Sequence, residues 1–409
     1  MDKTVSPASL SGQIDIIPSK SASHRAVMMA ALCREKTLIT PLQRSKDIEA
    51  TLRCAKALGL GRQRTPVSGV RKLDCGESGS TLRFFIPLAL DGRGPVAFTG
   101  HGRLMQRPLD VYEQLFAPRG VAWQLTGDTL SVNGRLTPGE YALRGDVSSQ
   151  FITGLLFALP FLPGESSIRI TTNLESRSYV ELTRRIQRAF GVNSRWTNDH
   201  TLIVPGYQRP VSPGQFSIEG DWSHAAFYLV AGVLGATGPL TLRGLDLEST
   251  QGDRAIVDIL RHMGAIIGQD SRGITVCSSR LRPAVVDVSQ VPDLVPVLAV
   301  AMAAAEGESR ITGAARLRIK ESDRLSAIAN ALTACGADVT ELPDGLIIRG
   351  GKPLHAARVD GCNDHRIVMA MAVASAIADG DITITDSEAV SKSAPAFWEE
   401  FASLGGKAR

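Results

Sequence analysis

Residues 363–381, NDHRIVMAMAVASAIADGD, begin with a small polar cluster, continue as small and apolar residues, and end at glycine beside charged residues. The same pattern occurs six times in the chain, with starts roughly 57 to 75 residues apart. The other five copies span residues 21–37, 78–94, 148–166, 223–239 and 293–309. This spacing is longer than a solenoid repeat, so the pattern predicts a compact supersecondary module that is used six times.

A second helical pattern follows the first in each module. These patterns span residues 47–60, 109–121, 178–192, 253–266, 321–339 and 394–407. Each has apolar residues at i, i+3, i+4 and i+7, which is typical of a half-buried helix, and each ends near a glycine that can form a left-handed cap. The first helix of each module is small and apolar on all faces, which predicts that it is buried on all sides.

Short segments rich in Thr, Val and Ile lie between the helices and predict β-strands. They are TLSVNG (129–134), SIRITT (167–172), LIVPG (202–206), LTLRG (240–244), GITVCS (273–278), SRITGA (309–314), GLIIRG (345–350) and DITIT (381–385). Each module therefore combines two helices with several short strands.

The length of 409 residues predicts two or three domains at about 150 residues each. Three modules precede residue 220 and three follow it, so we expect a first domain over 13–221 and a second over 1–12 plus 222–409. The connections between them are expected near 12–14 and 219–223, because the N-terminal strand is expected to pair with the C-terminal half.

Composition excludes several classes of protein. Hydrophobic residues make up 44% and charged residues 21%, which is ordinary for a globular chain. The net charge is only +4 and aromatic residues make up 5%, so no bulk nucleic-acid binding is expected. The longest apolar runs, 294–305 and 367–378, are shorter than the about 20 residues that a membrane span needs.

The cysteines and the N-terminus indicate a cytoplasmic protein. The six cysteines form no CxxC pair and lie in or beside apolar stretches, which favours reduced thiols over a zinc site or a disulfide framework. The first 20 residues contain no apolar core of a signal peptide.

Polar clusters before buried helices are suited to binding anions, since free backbone N–H groups and the helix dipole lie there. Lys20 and Arg25 flank the serines of PSKSASHR, and GESGSTLRF forms a glycine-rich loop. Further donors and cations near helix starts are Ser148, Ser149, Gln150, Arg107, Arg366 and Lys392. The alternative is that the polar residues only cap helices and the cations are surface charges. Pro108, next to Arg107, is expected at the first position of a helix.

Two carboxylates interrupt apolar or basic surroundings. Asp293 is the only charge in a run of apolar residues and prolines, where it is either an N-cap or a general base. Glu321 lies among basic residues in RIKESDRL, with Ser322 as the expected N-cap; a surface ion-pair network is the alternative. Several cations with two carboxylates suit an anionic substrate pair and proton transfer. Nucleotide-binding, hydrolase and metal-ligand motifs are absent from the sequence.

Seven motifs, taken together and in order, resemble one family. PSKSASHR, ESGSTLR, MQRPLD, VSSQF, PDLVP, KESDR and NDHR resemble the 5-enolpyruvylshikimate-3-phosphate (EPSP) synthases. The resemblance implies an α/β fold: a two-domain inside-out α/β barrel of six βαβαββ modules, three per domain, with the site in the cleft. It also implies enolpyruvyl transfer from phosphoenolpyruvate to the 5-hydroxyl of shikimate 3-phosphate, without a metal or organic cofactor. The expected protein is a monomer of the shikimate pathway, whose partners are these small molecules.

The resemblance also implies roles for individual residues. Lys20 matches a lysine that both substrates share, Asp293 the acceptor of the hydroxyl proton, and Glu321 the acid that protonates the enolpyruvyl methylene. The expected shikimate 3-phosphate contacts are Ser21, Arg25, Ser148, Ser149, Gln150, Ser176 and Lys320. The expected phosphoenolpyruvate contacts are Gly79, Arg107, Arg324, Arg366 and Lys392, with Gln150 reaching both ligands.

Two positions depart from the family's usual pattern. Glu77 stands where a neutral donor is common, and Arg316 stands where some members have asparagine, so neither position is assigned a substrate contact. Gly79 is retained where alanine obstructs the inhibitor glyphosate in some members, which predicts sensitivity to glyphosate.

Two other functions fit the sequence less well. The related enolpyruvyl transferase that acts on UDP-N-acetylglucosamine usually carries a cysteine before the Arg-Pro step, whereas residues 100–108 read GHGRLMQRP, and it lacks KESDR. A non-catalytic anion-binding protein of the same fold would gain nothing from Asp293 and Glu321.

Overall fold

The computed structural model describes residues 1–61, 68–235, 237–270 and 273–409, and the chain divides into two compact units. We call Lys20–Ile218 the middle unit, and Met1–Ser19 together with Glu219–Arg409 the split unit. Residue 236 of the fourth repeat copy lies outside the described residues.

Twelve α-helices occur in the described ranges. They are α1 (Lys20–Leu32), α2 (Lys46–Leu58), α3 (Gly79–Ala89), α4 (Asp110–Phe116), α5 (Ser149–Ala158), α6 (Arg177–Ala189), α7 (Trp222–Gly235), α8 (Ile256–His262), α9 (Val295–Ala304), α10 (Arg324–Ala334), α11 (His365–Ala374) and α12 (Phe397–Ser403). Each of the twelve predicted helical patterns contains or overlaps one of these helices.

The described strands of the middle unit are β3 (Leu38–Thr40), β4 (Arg71–Asp74), β5 (Val96–Thr99), β6 (Ala122–Thr126), β7 (Thr129–Asn133), β8 (Glu140–Leu143), β9 (Ser166–Ile170), β10 (Arg195–Asn198), β11 (Thr201–Val204) and β12 (Gln215–Ser217). Those of the split unit are β1 (Lys3–Ser6), β2 (Gly12–Asp15), β13 (Leu240–Arg243), β14 (Ile266–Asp270), β15 (Gly273–Cys277), β16 (Val285–Asp287), β17 (Gly307–Thr312), β18 (Asp338–Leu342), β19 (Gly345–Gly350), β20 (Ala357–Val359), β21 (Ile382–Ile384) and β22 (Lys407–Ala408). All eight predicted strand segments are confirmed.

The sheets repeat one topology. In the sheet ordered β10-β11-β9-β8, strands β8 and β9 are parallel, and β11 pairs antiparallel with both β9 and β10. Helix α5 connects the parallel strands, as a parallel pair requires a crossover connection, and α6 leads to the hairpin. Four other four-stranded sheets have the same arrangement, and β12 pairs with β3 in a two-stranded sheet. The predicted α/β fold of repeated βαβαββ modules is confirmed.

The N-terminal segment belongs to the split unit through two sheets. Strand β1 pairs antiparallel with β21 and β22, and β2 pairs parallel with β13. The chain passes between the units at 19–20 and at 218–219. The first passage is later than the expected 12–14, because the hydrogen bonds of β2 continue the split unit as far as Asp15.

The first helix of each module is the buried one, as predicted. All ten residues of α11 are buried, as are nine of the ten in α9 and in α5. The second helices end at glycines in the left-handed conformation, such as Gly59 (φ 69°) and Gly336 (φ 86°). No helix in the described part of the chain has the length and apolar character needed to cross a membrane.

Helices α3 and α5 approach closely at a glycine. The hydroxyl of Tyr112 donates to the carbonyls of Arg83 (3.0 Å) and Phe151 (2.9 Å). A Cβ atom at Gly154 would overlap both the Tyr112 hydroxyl and the Arg83 carbonyl oxygen. The small residue is therefore what lets the two helices share this hydroxyl.

We expect Gly154→Ala to destabilise the middle unit by about 1–3 kcal/mol, because overpacking forces the helices apart. On an exposed face of a helix, where the added methyl group meets no neighbour, a change from glycine to alanine instead stabilises the folded protein by about 0.5–1 kcal/mol. The control is Gly238→Ala, whose added Cβ would meet only Ser11 Cβ at 3.9 Å. Thermal unfolding measures both variants, and a melting temperature of Gly154→Ala at or above that of the parent would contradict the packing argument.

Candidate functional site

Lys20 is the first residue of α1, in the middle unit. A cation there opposes the helix dipole. Its Nζ lies 3.1 Å from Asp47 Oδ2 at the start of α2, and the two side chains are 18% and 13% exposed. The carboxylate offsets the local charge and orients the ammonium group, which stays reachable from solvent.

Arg25, one turn further along α1, is buried and touches three helices. Its Nη1 donates to the carbonyl of Ser21 (2.7 Å), and its Nε donates to Thr183 Oγ1 (2.8 Å) on α6. The guanidinium also lies 5.3 Å from the ring of Phe84 on α3. Burial lowers the pKa of Arg25 to about 10, so the group is still charged at neutral pH.

Gly79 and Arg107 are in direct contact. Gly79 opens α3, after the N-cap Ser78, whose side chain accepts from Thr81 N. A Cβ at Gly79 would lie 2.5 Å from Nη1 and 2.9 Å from Cζ of Arg107. The absence of a side chain at residue 79 is therefore what lets the guanidinium lie against the start of the helix.

The start of α5 carries three donors together. Ser148 is the N-cap, and its Oγ accepts from Gln150 N (3.3 Å); Ser149 is the first helical residue. Gln150 Oε1 accepts from Arg83 Nη1 (2.8 Å), while Gln150 Nε2 donates to Ser80 Oγ (3.0 Å). Both ends of the Gln150 amide are therefore bonded to side chains of α3.

Ser176 precedes α6 in a left-handed conformation, with φ 53° and ψ 45°, and is buried. Non-glycine residues adopt this conformation rarely, and it often occurs where a side chain must point in one direction. Together with the residues above, it completes what we call the Lys20 cluster. Its members are Lys20, Ser21, Arg25, Gly79, Arg107, Ser148, Ser149, Gln150 and Ser176.

The split unit holds a second group, centred on Arg324. The Arg324 side chain is 1% exposed. It donates to three carboxylates: Nη1 to Asp293 Oδ1 (3.0 Å), Nη2 to Glu321 Oε2 (2.8 Å) and Nε to Asp364 Oδ2 (2.9 Å). Burial alone would lower the pKa of Arg324, but the three carboxylates outweigh burial and raise it.

Asp293 lies between two arginines. Its other oxygen, Oδ2, accepts from Arg366 Nη2 at 3.0 Å, and its side chain is 17% exposed. Burial raises the pKa of this carboxyl, but the positive charges of Arg366, Lys320 and Arg324 outweigh it and hold the pKa well below its usual range. Asp293 is therefore ionised in the free protein at neutral pH.

Lys320 precedes Glu321 and is half-buried. Burial lowers its pKa to about 8, helped by the positive charge of Arg316 and opposed by Asp293. Arg316 is itself buried, and its Nη2 donates to the carbonyl of Ser289.

Arg366 lies in the first turn of α11, and Lys392 binds the backbone just before this helix. Asp364 is the N-cap of this helix, and its Oδ1 accepts from Arg366 N (2.9 Å). The buried Lys392 Nζ donates to the carbonyl of Asn363 at 2.6 Å. The Arg324 cluster thus contains Asp293, Lys320, Glu321, Arg324, Arg366 and Lys392.

Two expectations about helix starts are wrong, for Ser322 and Pro108, and of the two alternatives for Asp293 the N-cap is not the one observed. The N-cap of α10 is Asp323, whose side chain accepts from Ser326 N, while Ser322 donates to Asp364 Oδ2 (3.0 Å). Asp293 is not an N-cap, because its carboxylate is engaged by two arginines. Pro108 lies before α4, which begins at Asp110.

Three residues that bind members of these clusters were not predicted as site residues. Asp47 forms an ion pair with Lys20, Arg83 donates to Gln150, and Asp364 forms an ion pair with Arg324. Asp364 belongs to the NDHR motif, which was a usable signal; Asp47 had no comparable signal in the sequence. Among the described residues, His, Cys, Asp and Glu side chains form no group of three or more that could hold a metal ion.

Comparisons with known proteins show which family this chain is similar to. A family profile described as EPSP synthase (3-phosphoshikimate 1-carboxyvinyltransferase) matches residues 5–401. A curated 3-phosphoshikimate 1-carboxyvinyltransferase of Clostridium novyi (strain NT) is 44% identical, with 98% of this chain and 96% of the relative covered. The protein of the same name from Clostridium kluyveri is 45% identical, with 99% and 97% covered.

Solved structures share the fold. An EPSP synthase from Acinetobacter baumannii superimposes with a TM-score of 0.79 at 26% identity, covering 100% of this chain and 99% of that one. The enolpyruvyl transferase NikO from Streptomyces tendae gives a TM-score of 0.77 at 18% identity, covering 100% and 98%, which shows the fold alone.

The chain belongs to the EPSP synthase (3-phosphoshikimate 1-carboxyvinyltransferase) family. It is therefore a transferase of the shikimate pathway, and the resemblance of its motifs to this family is confirmed.

We expect Gly79→Ala to push the Arg107 guanidinium away and to raise the dissociation constant for phosphoenolpyruvate about tenfold, since a charge-assisted hydrogen bond contributes about 1.5–3 kcal/mol. The obstructing atoms are the far end of a flexible side chain, so the melting temperature is expected to change little.

A double-mutant cycle with Arg107→Ala is the control for this prediction. If Gly79→Ala acts through Arg107, it adds little in the Arg107→Ala background. Full additivity of the two changes would show that the glycine acts in another way.

Proposed function

We propose that this chain transfers the enolpyruvyl group of phosphoenolpyruvate to the 5-hydroxyl of shikimate 3-phosphate and releases phosphate, using the residues of the Lys20 and Arg324 clusters. The observation that carries the residue assignment is the Arg324 cluster. It holds an ionised Asp293 and a neighbouring Glu321 on the same buried guanidinium.

The reaction needs proton transfers at two atoms, the hydroxyl oxygen and C3. Addition of the hydroxyl to C2 of phosphoenolpyruvate requires a base at the oxygen and an acid at C3, and phosphate then leaves with loss of a C3 proton. Asp293 takes the hydroxyl proton and passes it to the departing phosphate. Glu321 enters the step protonated, gives its proton to C3, and takes one back from C3 as phosphate departs. Two carboxylates that share one arginine are held a fixed distance apart, which suits transfers at two neighbouring atoms.

The cations supply the electrostatic part. Both substrates are phosphorylated, so bringing them together brings like charges together. Lys20, Arg25, Arg107, Lys320, Arg324, Arg366 and Lys392 are the cations assigned to this role. Arg107 against the start of α3, and Arg366 at the start of α11, add their charge to free backbone N–H groups, which stabilises a departing phosphate.

Neutral hydrogen-bond donors suit the hydroxyl-bearing ring of shikimate 3-phosphate. We assign its recognition to Ser21, Ser148, Ser149, Gln150 and Ser176, with Lys320 and Arg25. Serine hydroxyls at helix starts accept and donate, so they match hydroxyl and phosphate oxygens alike. The reaction as assigned uses no metal or organic cofactor, and we propose that the protein works in the cytoplasm as a monomer that does not bind nucleic acid.

The test is phosphate release from phosphoenolpyruvate, measured with and without shikimate 3-phosphate. We expect release only when both are present, and no release with UDP-N-acetylglucosamine as acceptor. Asp293→Asn and Glu321→Gln should each lower kcat by about 100-fold or more, because each removes one proton transfer.

Binding measurements separate catalysis from folding in these variants. Both are expected to bind shikimate 3-phosphate with an affinity within a few-fold of the parent's. Unchanged turnover in either variant would refute the role assigned to that carboxyl, and an absence of release with both substrates would refute the function.

A further inference from the structure

Ser176 is a buried residue with a strained backbone. Its φ of 53° and ψ of 45° lie in the left-handed region, where serine is uncommon. A residue in this conformation costs free energy and persists only where the structure on both sides holds the chain in place. The contacts of the segments before and after Ser176 therefore decide where its hydroxyl lies.

The chain before Ser176 is held through the backbone. Glu175 N donates to the carbonyl of Gly145 at 3.2 Å, and Gly145 N donates to Thr172 Oγ1 at 3.0 Å. A Cβ atom at Gly145 would lie 2.9 Å from the carbonyl oxygen of Asn173, so the two segments are in close contact. These contacts fix the chain as far as Glu175.

The chain after Ser176 is held by the side chain of Arg177, the first residue of α6. Its guanidinium lies 4.4 Å from the centre of the Trp196 ring on β10, and its Nη1 donates to Asp199 Oδ1 at 3.3 Å. A cation at the start of a helix opposes the helix dipole, so the charge of Arg177 does not stabilise α6. Its contribution is the contact with the indole, since a guanidinium is attracted to an aromatic face.

Trp196 is itself fixed against α6. Its Nε1 donates to Glu181 Oε1 at 2.6 Å. Glu181 Oε2 accepts from Arg184 Nη1 at 2.6 Å, and Arg184 Nη2 donates to the carbonyl of Ser194 at 2.8 Å. The indole cannot turn away from α6 without breaking a hydrogen bond to a carboxylate, which is one of the stronger kinds. We call Arg177, Glu181, Arg184 and Trp196 the α6 brace.

We propose that the α6 brace positions Ser176 for shikimate 3-phosphate: through Arg177 it holds the strained backbone and so fixes the direction of the serine hydroxyl. Arg177 and Trp196 are positioning residues, which act through Ser176. The inference rests on the proposed role of Ser176 in binding shikimate 3-phosphate, and it adds which residues make that role possible.

The first test is binding to Arg177→Ala. The Arg177 side chain is 36% exposed, so its removal takes little from the core. Ser176 then relaxes towards an ordinary backbone conformation, and the Kd for shikimate 3-phosphate should rise about tenfold. The KM for phosphoenolpyruvate and kcat should stay within about threefold of the parent's, because the brace acts on one substrate only. An unchanged Kd for shikimate 3-phosphate would overturn the inference.

The matched control is Arg119→Ala, in the same unit. The Arg119 guanidinium lies 4.3 Å from the centre of the Tyr141 ring, so this variant loses a contact of the same kind away from Ser176. It should leave the Kd and both kinetic constants within about threefold of the parent's. An equal loss of affinity in Arg119→Ala and Arg177→Ala would show a general effect of stability and would overturn the positioning role.

Two variants of Trp196 test the ring itself. Trp196→Phe keeps an aromatic face for Arg177 but removes the N–H that donates to Glu181. Its affinity for shikimate 3-phosphate should stay within about threefold of the parent's, whereas Trp196→Ala should lose about tenfold, as Arg177→Ala does. Equal affinities of the Phe and Ala variants would overturn the role of the ring.

A double-mutant cycle tests whether the brace acts through the serine. In the Ser176→Ala background, which has no hydroxyl to direct, Arg177→Ala should weaken the binding of shikimate 3-phosphate by less than about twofold. Full additivity of the two changes would overturn the inference.

Hydrogen exchange in the free protein tests the brace without a substrate. Tyr179 N donates to the carbonyl of Ser176 at 3.1 Å, and Glu175 N to that of Gly145. In Arg177→Ala both amides should exchange at least about tenfold faster than in the parent, because the segment opens more often, and in Arg119→Ala they should not. Unchanged exchange in Arg177→Ala would overturn the brace. A parent that releases no phosphate with both substrates would instead refute the proposed function, and the exchange result would stand apart from it.

Discussion

The buried guanidinium of Arg324 organises a cluster of three carboxylates in the split unit. A charge with 1% exposure is tolerated only when it is paired and fully hydrogen-bonded, and here three carboxylates supply the partners. Those carboxylates precede or begin three different helices, α9, α10 and α11. The pairing therefore fixes where these helix starts lie relative to one another, and it holds Asp293 and Glu321 in place before any substrate arrives.

The repeated module explains why helix starts are available for this purpose. Each first helix consists mostly of small and apolar residues, so it can be buried on all sides, and the polar residues concentrate at its N-terminal end. In the middle unit the same arrangement brings Gln150 next to Ser80, and it lets Arg107 lie against Gly79. The polar residues of the two clusters thus lie where buried helices begin, and the rest of each of these helices forms core.

Much of the fold follows from local patterns in the sequence. The twelve helical patterns and eight strand segments depend on periodicity within a few turns, and the structure has them where expected. The pairing of the N-terminal strand with the C-terminal half was expected, but the second strand of that segment, β2, and its partner β13 were not, because partners more than 200 residues apart leave no local signal. Hydrogen-bond partners that lie far away in the sequence were not predicted, for the same reason. The sequence favours Ser322 as an N-cap, whereas in the structure its hydroxyl donates to Asp364, 42 residues away.

The central claim is that the forked geometry of Arg324, and not its charge alone, holds Asp293 and Glu321, the two carboxyls that we propose to be catalytic. Replacing it by lysine keeps the charge but cannot donate to three carboxylates in one plane. The decisive measurement is the single-turnover rate of Arg324→Lys with saturating phosphoenolpyruvate and shikimate 3-phosphate, beside Arg310→Lys, whose side chain is 53% exposed, as control. We predict a fall of about 100-fold for Arg324→Lys and none for the control. A single-turnover rate of Arg324→Lys equal to the parent's would contradict the account.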